Sequence, residues 1–314
     1  MLAISVIVPT RNRPRLLRRC LKSIIGQDFD KHKYEIIVVD DGSDTADAKN
    51  VANAFSKKFK NIKYIRQNRS GPAAARNLGI KISSAPILAF IDDDCAAERN
   101  WLKSIDAAFS RNKDAWAVEG KTLTDEKIGP FSHYIINKKG GMYVTCNMAF
   151  RKKFLKLVGG FDETFRCANR EDADVAFSII EKGGRISFCR SAVVRHAYLR
   201  SSFSRELRRK TYYMWDILLA KKHPQLYRKN IRYPSERFTP FYIIFLLLSF
   251  LSPYFLLCIL PVAYAELAYR KYSYSVPDYV GFLFLQTIGS FLTLASVLYG
   301  SARFRFNLIR LVFS

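Results

Sequence analysis

Three groups of neighbouring carboxylates stand out in this 314-residue sequence: Asp40-Asp41, followed by Gly42-Ser43, then Asp92-Asp93-Asp94, and Glu171-Asp172. Adjacent carboxylates repel one another, so such groups are costly unless a cation or a ligand's donors offset them. A hard divalent ion, held by one or two carboxylates together with substrate phosphates, is the usual solution. Each group also has a plainer reading when taken singly. The Asp-Asp-Gly-Ser run suits a turn after a strand. Asp94 could cap a helix that begins near Glu98, and Glu171-Asp172 could open a helix where the macrodipole favours acids.

The elements around these acids give them a common location. Ile4 to Val8, Ile36 to Val39 and Ile87 to Ile91 are nearly continuous apolar runs, the pattern of strands buried on both faces. Ile62 to Ile65 reads as another strand. Between them, Leu16, Leu17, Cys20, Leu21, Ile24 and Ile25 form one helical stripe after Pro14, and Val51, Ala52, Phe55 and Phe59 form a second. Ala73 to Ile82 reads as a third helix. Alternation of strand and helix predicts an α/β fold with a doubly wound, mostly parallel sheet. Ligands of such sheets bind beyond the carboxyl ends of the strands, which is where Pro9-Thr10-Arg11-Asn12, Asp40-Asp41 and Asp92-Asp93-Asp94 fall.

Residues 121 to 200 are less regular. Arg151 to Val158 and Glu171 to Lys182 read as helices stopped by Gly159-Gly160 and Gly183-Gly184; Arg185 to Phe188 and Ala192 to His196 read as short strands. Trp101 and Trp116 are assigned to the core. Six scattered cysteines, with no CxxC pair and no zinc spacing, argue against a disulfide framework or structural zinc and fit reduced thiols in cytoplasm. Met1 to Pro9 is too short for a signal-peptide core and lacks a basic n-region, so the catalytic part is expected to start at residue 1.

The chain carries 51 Lys and Arg against 27 acids, a formal net charge of +24, which calls for an anionic partner. Its location decides which. Between Arg200 and Arg237 there are 11 basic residues against Glu206, Asp216 and Glu236, a surplus of +8 beside the apolar C-terminal third. That placement favours a membrane surface over nucleic acid, and no RRM, HTH or OB-like unit accompanies it.

No charged residue occurs from Phe238 to Ala265 or from Tyr279 to Ala302. At about 1.5 Å per residue, each stretch exceeds the roughly 30 Å hydrocarbon thickness. Two C-terminal transmembrane helices are therefore expected, with Pro253 and Pro261 able to kink the first or break it into a re-entrant hairpin. The loop Glu266 to Asp278 is neutral, whereas the preceding flank is +8 and the tail holds Arg303, Arg305 and Arg310. The positive-inside rule places both flanks and the N-terminal domain in the cytoplasm and the loop outside, a multi-pass protein of the plasma membrane.

The motifs ISVIVPTRNR (4–13), VVDDGS (38–43), GPAAARNLGI (71–80), AFIDDDC (89–95), TCNMAFRKKFLKLVGGFDETF (145–165) and EDADVAF (171–177) together resemble glycosyltransferase family 2, in order and spacing. The resemblance covers about residues 4 to 200 and implies a GT-A fold and inverting transfer from a nucleotide-sugar. It implies that Thr10, Asp40, Asp41 and Arg76 hold the nucleotide, with Asp92 and Asp93 beside ribose and sugar. Asp94 would coordinate Mg²⁺ or Mn²⁺, and His196 would approach the metal or diphosphate. Glu171-Asp172 match the ED motif, with Asp172 as the base on the acceptor hydroxyl. Asn147 and Phe161-Asp162 are candidates for the acceptor side, and Gly159-Gly160-Phe161-Asp162 reads equally as a helix stop and turn. Such an inverting displacement needs a base on the acceptor side and an electrophilic clamp on the leaving group.

Two departures carry meaning. Arg11 stands where many members have Tyr, so stacking on the base is lost or replaced by a cationic contact. The QxxRW motif of processive synthases is missing; Gln225-Leu-Tyr-Arg228-Lys229 lacks the tryptophan, which points to addition of a single sugar.

The expected organisation is thus a GT-A domain over 1–200, a basic juxtamembrane segment over 201–237, two transmembrane helices over 238–302 and a basic tail over 303–314. Arg205 to Lys210, with Tyr212, Tyr213 and Trp215, resembles an interfacial segment. It suggests a lipid-borne acceptor (a polyprenyl phosphate, a lipid-linked glycan or a glycolipid), or simply retention on anionic lipid. A membrane-tethered nucleotide-sugar-binding scaffold without turnover is the rival reading, against which the Glu171-Asp172 pair stands, since a binder needs no acceptor-side base.

Overall fold

The computed structural model describes residues 1–57, 59–124, 129–231, 238–270, 272 and 275–307. It divides into two compact units: Met1–Thr124 with Ile135–Ala197, and a second whose described residues fall in Asp125–Tyr134 and Tyr198–Ser314.

The first unit begins with β1 (Ile4–Thr10), α1 (Pro14–Ile25), β2 (Tyr34–Asp41), α2 (Asp47–Ser56), β3 (Ile62–Gln67), α3 (Pro72–Ile82) and β4 (Ile87–Phe90). Pro14 and Pro72 stand in the first turns of α1 and α3, where their missing N–H costs nothing. It continues with β5 (Cys95–Ala97), α4 (Trp101–Arg111) and β6 (Ala115–Leu123), then, past β7 (Ser132–His133) of the second unit, with β8 (Met148–Arg151), α5 (Lys152–Leu157), α6 (Glu171–Glu181) and β9 (Arg185–His196).

These strands form one sheet in the order β3-β2-β1-β4-β8-β6-β9-β5. The four strands from β3 to β4 are mutually parallel, as the alternating pattern predicts. Beyond them β8 runs antiparallel to both β4 and β6, and β5 runs antiparallel to β9. Successive residues of β1 and β2 supply opposite layers. Ile4, Val6, Val8, Ile36 and Val38 pack with α1, α2 and α4, while Ile7, Ile37 and Val39 pack with Ala73, Ala75, Ile80 and Val175 on the other side. Both faces are covered, hence the continuous apolar runs.

Some boundaries differ from expectation for physical reasons. β9 is one strand rather than two; Gly120 faces Cys189 and Lys121 already faces Val193, so residues 190–192 bulge out of the ladder between the two apolar stretches. Asp94 does not cap a helix. Cys95–Ala97 continues as strand, and the following helix starts at Trp101 after Asn100. Trp101 is fully buried, whereas Trp116 is half-buried and stacks on Phe154 with centroids 4.0 Å apart.

In the second unit, β7 pairs with β10 (Leu199–Arg200), followed by α7 (Phe203–Lys210), α8 (Met214–Lys222), α9 (Pro224–Asn230), α10 (Thr239–Leu248), α11 (Ile259–Arg270) and α12 (Val276–Phe304). The segments 232–237 and 308–314, with part of the expected juxtamembrane stretch and tail, lie outside the described residues.

The first charge-free stretch is not one continuous helix. α10 stops at Leu248, a turn follows, and a 3₁₀ segment spans Pro253–Cys258 before α11. The break falls at Pro253, whose ring cannot follow an unbroken helical backbone. Pro261 sits in the first turn of α11, where proline is tolerated. The expected external loop is also shorter, because Glu266 and Arg270 belong to α11 and Glu266 is fully buried. Among the described residues, α12 is the helix long and apolar enough to cross a membrane.

Candidate active site

The carboxyl ends of β2, β1 and β4 lie side by side, since β1 pairs with β2 through Thr10 opposite Asp40 and with β4 through Ile7 opposite Phe90. The turn after β1 ties them together. Asn12 N donates to Ser43 Oγ and Asn12 Nδ2 to Asp44, both beyond β2. Arg13 donates to Asp93 Oδ1 at 3.2 Å and Asp94 Oδ2 at 2.8 Å, beyond β4. Arg11 lies on the β2 side, donating to the Gly42 carbonyl.

The two aspartates of the β2 end part company. Asp40 is fully buried, accepting from Ser43 N at 2.9 Å and from Tyr64 OH at 2.6 Å, so it braces the turn and does not open on the rim. Strand alternation sends Asp41 to the other face. There Asp41 Oδ1 accepts from Gln67 Nε2 and Ser70 N, and Oδ2 from Gly71 N. Gly71, at φ +99°, leads into α3, and a Cβ there would stand 3.1 Å from the Arg166 carbonyl oxygen. Asp41 thus shapes the entry of the helix that carries Arg76.

Arg76 is enclosed. Nη1 donates to Glu171 Oε1 at 2.8 Å and Nη2 to Asp92 Oδ1 at 3.2 Å, with the guanidinium carbon 5.5 Å from the Phe161 ring centre. It bridges the end of β4 and the start of α6. Burial works against its charge, but Asp92 and then Glu171 hold the proton more tightly than usual.

Glu171 and Asp172 also divide. Glu171 is 1% exposed, with Oε1 turned to Arg76. Burial, then repulsion from Asp172, pushes its carboxyl up to about 8 against the pull of Arg76. Asp172 is half-buried in the first turn of α6 and accepts from Thr145 N at 3.2 Å and Thr145 Oγ1 at 3.5 Å.

The β4 acids differ in the same way. Asp92 remains about a quarter exposed. Asp93 is buried, accepts from Thr10 Oγ1 at 2.7 Å, and is pushed up to about 7 by that burial, with Arg13 opposing. Asp94 lies with Oδ2 on Arg13 and Oδ1 3.5 Å from His196 Nε2. The strand register makes the last contact, because Cys95 pairs with His196 across β5 and β9.

This donor set fits a divalent cation. His196 Nδ1 lies 2.7 Å from the Ala197 carbonyl oxygen, which can only accept, so the ring proton belongs on Nδ1. In a neutral imidazole the Nε2 lone pair then faces the Asp94 carboxylate oxygen. Two acceptors brought together, with the histidine oriented by a backbone carbonyl, make a metal-ligand arrangement.

Other expected site residues are structural. Asn147 is buried, donating to the Lys121 and Ala192 carbonyls while accepting from Trp101 Nε1, so it ties β6, β9 and α4 together. Phe161 is core, edge-on to Phe90 and Phe150. Asp162 Oδ1 accepts from Thr164 N, as a turn residue does. Sequence reasoning passed over Arg13, Thr145 and Glu119. Glu119 is buried in β6 and accepts from Asn137 Nδ2 and from the backbone N–H groups of Gly141, Met142 and Tyr143. A lone acid inside an apolar strand was its available signal.

A mostly parallel, partly antiparallel sheet with a carboxylate rim at its strand ends is the GT-A architecture. Models of "Glycosyl transferase family 2" and "Glycosyl transferase family group 2" match residues 5–159 and 93–295, and the chain belongs to glycosyltransferase family 2. It is 41% identical over 101 residues to the glycosyltransferase AglE of Haloferax volcanii, covering 32% of this chain and 33% of that protein. It is 28% identical over 239 residues to the pre-mycofactocin glycosyltransferase of Mycobacterium tuberculosis, covering 70% and 48%. The chain thus spans a third to a half of the length of these relatives. Among solved structures, S. aureus TarS 1-349 is similar with a TM-score of 0.52 at 17% identity, over 97% of this chain and 91% of that one. GalNAc-T7, crystallised with UDP, GalNAc and Mn²⁺, is similar with a TM-score of 0.53 at 18% identity, over 64% and 44%. These likenesses are of fold.

Proposed function

We propose that this chain transfers a single sugar, with inversion, from a nucleotide-sugar (a UDP-sugar by preference) to a membrane-associated acceptor such as a polyprenyl phosphate, a lipid-linked glycan or a glycolipid. The observation that carries the reading is the Arg76 bridge, which joins the Asp92 end of β4 to the first turn of α6. It sets a candidate donor-side carboxylate cluster and a candidate acceptor-side base in one unit.

The roles follow from placement. Asp41, 8% exposed, holds the loop Gln67–Gly71 through three accepted hydrogen bonds, and the second lone pair of its Oδ2 is the one left for a base imide N–H. Thr10 and Arg13 fix Asp93 and Asp94. Asp92, partly open, would meet ribose or sugar hydroxyls. Asp94 and His196 would hold Mg²⁺ or Mn²⁺, which when bound offsets charge on the departing diphosphate. Asp172, half-buried in the first turn of α6 and oriented by donors from Thr145, would accept the proton of the incoming hydroxyl. The second unit holds the chain at the cytoplasmic side of a membrane through its apolar helices and basic segment.

The test is nucleotide release and product formation by the purified full chain with a panel of UDP-, GDP- and dTDP-sugars and either metal. Asp172→Asn should lose transfer by about 10²–10⁴-fold. Release from no donor under any condition would sink the reading, and equal rates on water-soluble and lipid-linked acceptors would remove its lipid part.

A further inference from the structure

α12 is long enough to cross a bilayer, since 29 residues at about 1.5 Å each give some 43 Å. The chain that lies against it argues for a different placement. Near its start, Gly281 approaches the Phe131 ring, which packs 6.4 Å from the ring of Phe203 at the head of α7. Further along, Lys210 lays its stem over Gly289 and donates to Gln286 Oε1 at 2.7 Å. Ser296 Oγ then donates to the Thr211 carbonyl and accepts from Met214 N, and Lys221 Nζ reaches the Phe304 carbonyl at 2.8 Å. Residues 203–221 therefore accompany α12 from one end to the other.

That accompanying segment is highly charged. Arg205, Arg208, Lys221 and Lys222 are exposed on it. Were α12 to cross, those side chains would be carried through hydrocarbon, where each is expensive.

The outer face of α12 is apolar, and its inner face mixes polar residues with buried Phe282, Leu285 and Val297. Gln286, Ser290, Thr293 and Ser296 face inward, while Val280, Phe284, Ile288, Phe291, Leu294 and Leu298 are exposed along one stripe. Polar groups are internal elsewhere in this unit too: Glu266 is fully buried and takes hydrogen bonds from Tyr242, Arg270 and Gln286. An apolar stripe on a helix backed along its other side by a segment with exposed cations matches one occupant, a bilayer surface containing anionic lipid, with the stripe at acyl depth and the cations among headgroups.

We infer that α12 lies in the plane of an anionic membrane surface and does not cross it, so that the second unit enters from one side only. This rests on the membrane-held reading above and specifies its form.

The experiment uses the full chain in sealed proteoliposomes containing phosphatidylglycerol, with Cys167→Ser and Cys258→Ser to lower background labelling. Val276→Cys and Ala302→Cys report the two ends of α12 to a membrane-impermeant maleimide. Spin labels at Val280→Cys, Ile288→Cys and Leu298→Cys report depth. Both ends should label from the same side, and the three depths should agree and be shallow. Labelling of the ends from opposite sides, or a deep Ile288 between shallow neighbours, overturns the inference and leaves membrane attachment standing. A chain that stays soluble without lipid or detergent, as a monomer or as a dimer through this stripe, overturns both, while nucleotide release still tests the transferase reading separately.

Discussion

Arg76 and Glu171 meet at 2.8 Å in a place almost closed to water, the two side chains being 3% and 1% exposed. Glu171 is pushed up to about 8, so removing Arg76 leaves buried carboxyl oxygens without their donor and strands no glutamate charge, a cost of about 1–3 kcal/mol. Arg76→Met is therefore expected to lower the melting temperature and to disturb both Asp92 and the α6 turn. Melting followed by intrinsic fluorescence, with binding of a UDP-sugar on the surviving folded fraction, checks this.

The pH dependence follows with its sign. An unfolded glutamate titrates near about 4.3, whereas Glu171 in the fold is pushed up to about 8, chiefly by burial. Between those values the folded chain binds more protons than the unfolded one. Its contribution to stability is present in full below about pH 4.3 and is lost as pH rises through 8. Glu171→Gln, which is neutral throughout, should flatten that fall between pH 5 and 8. A variant that loses stability over this interval as steeply as the parent chain contradicts the assignment.

Asp93 and Asp94, adjacent in sequence, should respond differently to the same change. Asp93 is clamped by Thr10 and Arg13, and an asparagine can still accept from Arg13 and donate to the Thr10 oxygen. Asp93→Asn should keep the fold within about 1 kcal/mol, the net worth of a typical hydrogen bond. Asp94→Asn removes the anion facing His196 and should reduce metal-dependent nucleotide release on the order of 100-fold or more. Titrating activity with Mn²⁺ and measuring Mn²⁺ binding directly separates a lost ligand from a lost fold.

Asp40 supplies the complementary case. Its oxygens are taken by Ser43 N and Tyr64 OH, beneath the rim. Tyr64→Phe should cost about 1–3 kcal/mol, for a buried acceptor left unpaired, with kcat and the KM for donor little changed. A raised donor KM at unchanged stability would return Asp40 to the nucleotide pocket.

How much of this was legible in the sequence depends on what each residue's neighbours reveal. β1, β2 and β4 were readable because both faces are buried, and the same property hid the division between Asp40 and Asp41. A strand apolar on both sides has no polar alternation to say which face meets the cleft. The carboxylate rim was readable because parallel strands end on one edge. Arg76 was singled out as a nucleotide contact, but the direction of its side chain depends on Glu171 at the start of α6, nearly a hundred residues away in sequence. The charge-free run from Phe238 reads the same whether it forms one helix or two, and the polar inner face of α12 shows only once its partners are known.

Glu119 leads to the last expectation. Its buried carboxylate gathers Asn137 Nδ2 and three consecutive N–H groups, Gly141 to Tyr143, and that loop runs on to Thr145, which donates to Asp172. Loop order and the orientation of Asp172 are thus joined through a few residues of backbone. Glu119→Ala leaves the amides without their acceptor and should cost about 1–3 kcal/mol. Glu119→Gln keeps an acceptor for part of the set and should recover much of the loss. Hydrogen exchange at residues 140–145 should accelerate in the alanine variant, with exchange in β1 and β2 unchanged. If Asp172 is oriented through this loop, transfer should fall further than donor hydrolysis, because water needs less positioning than a bulky hydroxyl acceptor. Equal losses in both reactions would mean that Glu119 supports the strand alone and has no hold on the acceptor side.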